Sequence, residues 1–193
     1  MKEKITIFFL NIATSDYKGL SKSEVTDTTK KLYLPRIIEA SFNLAQSQYS
    51  IARNEHGKPL IKSLSGEDAY ISISHTRDMW VCATANFDIG IDIELLRNGR
   101  KNVAERYFHP DEKEILNSCI SDEQYNRTFF ELWTAKEAFS KLIGSGINTD
   151  TLGSRVSSLA NITYCNLAHN HICAIATPPS IQPTFELINL SSL

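Results

Sequence analysis

The chain has 193 residues, enough for one ordinary domain or two small ones with a real core. Hydrophobic residues make up 42% and charged residues 22%, the balance of a soluble globular protein. A net charge of −2 gives no electrostatic case for nucleic acid, and no run approaches the ~18 apolar residues of a membrane span.

The first predicted element is a strand over Ile5-Thr6-Ile7-Phe8-Phe9-Leu10. Its apolar run is too short for a targeting segment and stops at Asn11. Residues 14–30 are polar and loop-like. Helical periodicity runs from Pro35 to Gln46, with Pro35 suited to a first turn. Ile51 to Pro59 carries the turn signal His56-Gly57-Lys58-Pro59. Strand alternation then covers Ala69–Ser74 and Trp80–Asn86, around a turn at His75-Thr76-Arg77-Asp78, and Asp88–Glu94 forms a further strand.

A second half begins near Arg97. Asn102–Phe108 and Pro110–Ser118 read as short helices, and Asp122–Leu142 as the longest helix, closed by Gly144 and Gly146. Residues 151–190 return to strand patterns broken at Pro178, Pro179 and Pro183. The turn and strand at 75–85 are echoed at 169–177, each with a Cys-Ala pair. If it is a true repeat, the echo means two similar α+β halves whose interface is the natural cleft for a ligand. Cys82, Cys119, Cys165 and Cys173 lack metal-site spacing. Cys82 and Cys173 lie in apolar strands, so buried free thiols and a reducing, cytoplasmic compartment are expected.

Two segments carry the chemistry. In the strand Gly90-Ile91-Asp92-Ile93-Glu94, Asp92 and Glu94 share one face while Ile91 and Ile93 pack on the other. In the helix Trp133-Thr134-Ala135-Lys136-Glu137-Ala138-Phe139-Ser140-Lys141, Glu137 and Lys141 are neighbours one turn apart. Three carboxylates can make an oxygen-rich site for a hard divalent cation, and the lysine can meet a phosphate oxygen held by it. Taken singly, the strand is equally a half-buried strand with a solvated face, and the Glu-Lys pair an everyday surface ion pair. Arg53 and Lys58 flank a glycine turn able to hold an anion, and Ser74 and His75 end a strand.

Taken in order, these segments resemble the phosphopantetheinyl transferase superfamily, in its pseudo-dimeric, surfactin-synthetase-activating type. The pieces are His56-Gly57-Lys58-Pro59, Ile73-Ser74-His75, Gly90 to Glu94, Arg106-Tyr107-Phe108 followed by Glu112, and Trp133 to Lys141. The likeness spans roughly residues 51–146. It implies an α+β fold of two similar subdomains with antiparallel sheets, related by a pseudo-twofold, 1–96 and 97–193, with the active site at their interface.

The implied activity moves the 4'-phosphopantetheine arm of coenzyme A onto a serine of an apo acyl or peptidyl carrier protein, releasing adenosine 3',5'-bisphosphate. By the same resemblance Asp92, Glu94 and Glu137 are the Mg²⁺ ligands, and Glu137 also takes the serine proton. Lys141 contacts the α-phosphate, while Arg53, Lys58, Ser74 and His75 hold the nucleotide end. The implied enzyme is a cytoplasmic monomer that binds neither nucleic acid nor membrane.

The family's dense set of N-terminal basic residues is thin here. Of Lys18, Lys22, Lys30, Lys31, Arg36 and Arg53, only Arg53 aligns. The segment Arg106–Gln124 offers apolar and basic side chains to a carrier, or else packs two amphipathic helices on their own core. The same carboxylates would also serve another Mg²⁺-dependent phosphoester enzyme, or persist in an inactive coenzyme A or carrier-protein binder.

Overall fold

The computed structural model describes residues 3–12, 21–66 and 69–192. It is a mixed α+β structure with three sheets. The largest contains β1 (Lys4–Asn11), β4 (Tyr70–His75), β5 (Met79–Ala85) and β9 (Thr184–Asn189) in the order β4-β5-β1-β9. A second contains β6 (Gly90–Leu95), β7 (Asn161–Cys165) and β8 (His171–Thr177) in the order β6-β8-β7, and β2 (Tyr49–Arg53) with β3 (Pro59–Ser63) forms a separate hairpin. All pairings are antiparallel except β1 with β9, which run parallel with Lys4 opposite Thr184.

Strand alternation explains the layers. Ile5 and Ile7 of β1 face the β6-β8-β7 sheet and pack with Val81, Ile91, Ile93, Cys173 and Ile175. Phe8 and Leu10 point the other way, joining Trp80 and Cys82 under Ile37 and Ile38 of helix α1 (Lys22–Phe42). The far face of the second sheet, with Ala174 and Ala176, receives Ala135, Ala138, Phe139 and Leu142 of α4 (Asp122–Ile143). All four cysteines are free, and Cys82 and Cys173 are buried.

Helix α1 begins well before the expected start at Pro35. Ser21 caps it, its side chain accepting from the Glu24 N–H while the Glu24 carboxylate accepts from the Ser21 N–H. The polar stretch 22–30 is therefore helix, and the rest of the expected loop, residues 14–20, lies outside the described residues. Pro35 sits inside the helix, where its missing N–H leaves one carbonyl unserved, but Lys31 four residues back is on the exposed side. The helix stops at Asn43, in the left-handed region at φ 54.

Helices α2 (Lys101–Tyr107), α3 (Pro110–Asn117) and α4 fall within a residue or so of their predicted bounds. Helix α4 has Ser121 as N-cap and Gly144, at φ 69, as its left-handed C-cap. A short helix, α5 (Thr149–Gly153), occupies ground read as strand.

Two details hold β6 against α4. A Cβ at Gly90 would lie 1.9 Å from the Ala138 carbonyl oxygen and 2.5 Å from the Leu142 nitrogen, so only glycine lets the strand approach the helix backbone. On its other side, the Ile91 and Ile93 N–H groups donate to the Ser72 and Ser74 hydroxyls of β4, at 2.9 and 3.4 Å. Gly90→Ala should therefore destabilise the fold by about 3 kcal/mol through overpacking against rigid backbone. Urea denaturation checks it, and an unchanged midpoint would mean that β6 and α4 can separate freely.

Candidate functional site

Helix α4 crosses β6 so that Glu137 and Lys141 meet the acidic face of the strand. Lys141 Nζ donates to Asp92 Oδ1 at 2.7 Å, and the Ser74 hydroxyl donates to the same oxygen at 2.6 Å. Asp92 is buried, and its second oxygen, Oδ2, has no hydrogen-bond partner. A buried carboxylate oxygen left unpaired is costly and points to a cation or ligand group as its partner. Burial first, and then the negative charge of Asp92, push the Glu137 carboxyl up to about 7; Lys141 pulls it down and Glu94 adds a smaller push.

Glu94 is held differently. Its Oε1 accepts from Trp133 Nε1 at 3.2 Å and its Oε2 from the Arg97 guanidinium at 3.1 Å. Among the described residues no three His, Cys, Asp or Glu side chains converge into a preformed cage. Asp92 and Glu137 still suit a hard cation that binds through one or two carboxylates and completes its shell with water and phosphate oxygens.

Beside this cluster lies a cavity of about 320 Å³ walled by α1, the β2–β3 turn, β4 and the end of α4. Arg53, Lys58, His75, Glu137 and Lys141 line it. Ser74, Asp92 and Glu94 are not part of its wall; Ser74 reaches the site only through Asp92. The wall also contains Lys30 of α1, whose pKa is lowered by burial and then by the nearby Arg53. Two cations facing one cavity are an arrangement suited to an anion. Lys30 carries no motif signal, since the polar composition of its stretch reads as loop; the Ser-x-x-Glu cap at Ser21 is the signal that marks it as helix. Lys18 lies outside the described residues.

The β2–β3 turn is fixed to the end of α4. Asn54 Oδ1 accepts from the His56 and Lys58 N–H groups, Gly57 takes φ 86, and Asn54 Nδ2 donates to the Gly144 carbonyl. Lys58 Nζ bonds Asp88 Oδ1 and the Leu142 carbonyl, both at 2.7 Å. It therefore neutralises the exposed carbonyl end of α4 as well as facing the cavity. Arg53 donates to the Gly57 carbonyl and stays on the surface.

In the segment 106–124, Phe108 and Leu116 are buried with Ala104, Phe129 and Phe130, while Ile115 is 48% and Ile120 95% exposed. The segment thus has both a core side and an outward apolar side. No helix among the described residues is long and apolar enough to cross a membrane.

Comparison with known proteins places these features in a family. The model of the 4'-phosphopantetheinyl transferase superfamily matches residues 88–187, a span that holds Asp92, Glu94, Glu137 and Lys141. The 4'-phosphopantetheinyl transferase gsp of Aneurinibacillus migulanus is 31% identical over 146 residues, 76% of this chain and 56% of that protein. Sfp of Bacillus subtilis (strain 168) is 35% identical over 112 residues, 58% of this chain and 49% of that protein. HetI of a Nostoc species is 34% identical over 119 residues, with 59% and 49% covered. The chain spans about half the length of the curated relatives it matches. With a family match over more than half its residues, carrying the acidic strand and the Glu-Lys helix together, the chain belongs to the 4'-phosphopantetheinyl transferase superfamily.

Proposed function

We propose that this protein transfers the 4'-phosphopantetheine arm of coenzyme A to a serine of an apo acyl or peptidyl carrier protein, with Mg²⁺ as cofactor. The observation that carries the reading is the buried, unpaired Asp92 Oδ2 beside Glu137 and Lys141, at the edge of a cavity walled by cations. Asp92 and Glu137, joined by Glu94, would hold the Mg²⁺. That ion supplies charge neutralisation at the pyrophosphate.

The chain's own groups have distinct tasks. Lys30, Arg53, Lys58 and His75 face the nucleotide phosphates from the cavity wall. Ser74 fixes the rotamer of Asp92. One N–H of the Lys141 ammonium goes to Asp92, which leaves others for a phosphate oxygen of the leaving group. Glu137, beside Asp92 and Lys141, would also accept the proton of the serine hydroxyl, directly or through a water. Ile115, Ile120 and Lys113 present the apolar and basic surface to the carrier.

The two halves, 1–96 and 97–193, are read as related subdomains meeting at this site. Each contributes an antiparallel hairpin, β4–β5 and β7–β8, whose second strand carries Cys-Ala.

Intact mass of a panel of apo carriers after incubation with coenzyme A and Mg²⁺ tests the proposal. One phosphopantetheine adduct per carrier is expected, and none when EDTA is present from the start. Coenzyme A binding with no adduct on any carrier would turn the reading to an inactive binder, and coenzyme A cleavage without an adduct to another phosphoester enzyme.

A further inference from the structure

We infer that Arg97 is a positioning residue that competes with the cation for Glu94 and so weakens metal binding while the nucleotide is absent. This rests on the proposal that Asp92, Glu94 and Glu137 form the cation site.

The contacts of Arg97 show why it has this effect. Its guanidinium donates to Glu94 Oε2 at 3.1 Å and to the Leu95 carbonyl at 3.3 Å, and it lies 4.8 Å from the centre of the Phe130 ring. These three contacts pin a side chain that is still 46% exposed. Trp133 occupies the other Glu94 oxygen, so each oxygen already accepts one hydrogen bond. Asp92 has no such restraint on Oδ2. Both acidic residues on β6 have a cation of the protein's own on one oxygen, Lys141 on Asp92 and Arg97 on Glu94, but only Asp92 keeps its second oxygen free.

The consequence is electrostatic. A divalent ion approaching Asp92 and Glu137 meets a Glu94 whose charge is already offset by Arg97, and it feels the guanidinium's repulsion as well. Pyrophosphate oxygens bring additional negative charge to the same place, so the ion binds well once nucleotide is present. A structure arranged in this way favours ordered loading, with metal entering alongside coenzyme A rather than alone.

Titration of the whole protein with Mn²⁺ alone, read by electron paramagnetic resonance of the free ion, tests this; Mn²⁺ shares the oxygen-ligand preference of Mg²⁺. Arg97→Gln is expected to bind Mn²⁺ about three- to tenfold more tightly than the wild type in low salt, with the difference shrinking as ionic strength rises. Arg97→Lys, which keeps the charge, should stay near the wild type. In a Glu94→Gln background the effect of Arg97→Gln should shrink to the guanidinium's direct repulsion of the ion, because the competition for Glu94 is gone; an undiminished effect would overturn the inference.

Unchanged or weaker Mn²⁺ binding by Arg97→Gln would overturn the inference while leaving the cation site standing. If neither the wild type nor Arg97→Gln binds Mn²⁺ alone, though both are folded, the inference falls; if neither binds it with coenzyme A present, the cation site falls as well. A role confined to packing on Phe130 would lower the melting temperature and leave the Mn²⁺ affinity where it was.

Discussion

Asp92→Asn is expected to lower carrier modification by about three orders of magnitude, equivalent to ~4 kcal/mol, while leaving the protein folded. Asparagine keeps the size of the side chain, and its Oδ1 can still accept from Ser74, whose hydroxyl lies 2.6 Å from Asp92 Oδ1. What changes is the second oxygen. Asp92 Oδ2 is buried without a partner, and an amide there presents N–H groups where a cation needs a lone pair. Lys141 loses its counter-ion too, but at 29% exposure its ammonium retains water. Thermal melting should therefore move little, and Mn²⁺ binding should be lost together with transfer. Transfer within tenfold of the wild type at low Mg²⁺ would show that Asp92 is not a ligand.

The second large effect lies in stability. Lys136, in the same helix as Glu137, has a fully buried side chain, with Nζ 2.7 Å from Glu112 Oε2 and 2.6 Å from the Ser154 carbonyl. The ammonium also stands 5.1 Å from the Phe108 ring centre. Burial lowers its pKa, against the pull of Glu112. Lys136→Met should cost about 3–5 kcal/mol, because Glu112 is left as a buried charge whose remaining partner is the His109 N–H at the start of α3.

For a chain of this size that is a fall of roughly 10 °C in Tm. The deficit should shrink as pH drops, since the stranded Glu112 is relieved by taking up a proton, which the native pair does not need to do. Replacing both partners with Glu112→Leu and Lys136→Met should recover most of the loss. A single variant as stable as the wild type at pH 7 would mean that the pair is solvated, contrary to its burial.

What was legible in the sequence was local. The two-residue alternation of Gly90 to Glu94 and the turn spacing of Glu137 and Lys141 are periodic signals that survive folding, and they set which side chains share a face. The helix starts at Pro110 and Asp122 were readable for the same reason. The start of α1 differs from the sequence expectation because Pro35 fits a first turn as well as a helix interior, while the deciding signal is the cap formed by Ser21 and Glu24.

The remaining differences come from partners far apart in the chain. Nothing near Lys58 announces that it will bond Asp88 and the Leu142 carbonyl, and nothing near Lys136 announces Glu112. Arg97 next to Glu94 was in plain view, but a motif identifies ligand types and does not record what each is bonded to before the ligand arrives.

The parallel pairing of β1 with β9 has a consequence for how the molecule is made. β1 is an inner strand of its sheet only because Thr184–Asn189 lies beside it. During vectorial synthesis at ~5–20 residues per second, β1 waits roughly 10–40 s for that neighbour. Until then the backbone groups on one side of Ile5, Ile7 and Phe8 form an open edge, the kind of surface that recruits chaperones or other unfinished chains. Closing a loop that spans nearly the whole polypeptide is also slow. Nascent chains arrested before Thr184 should therefore remain sensitive to protease within β1, and protection should arrive in one step when β9 emerges from the ribosome.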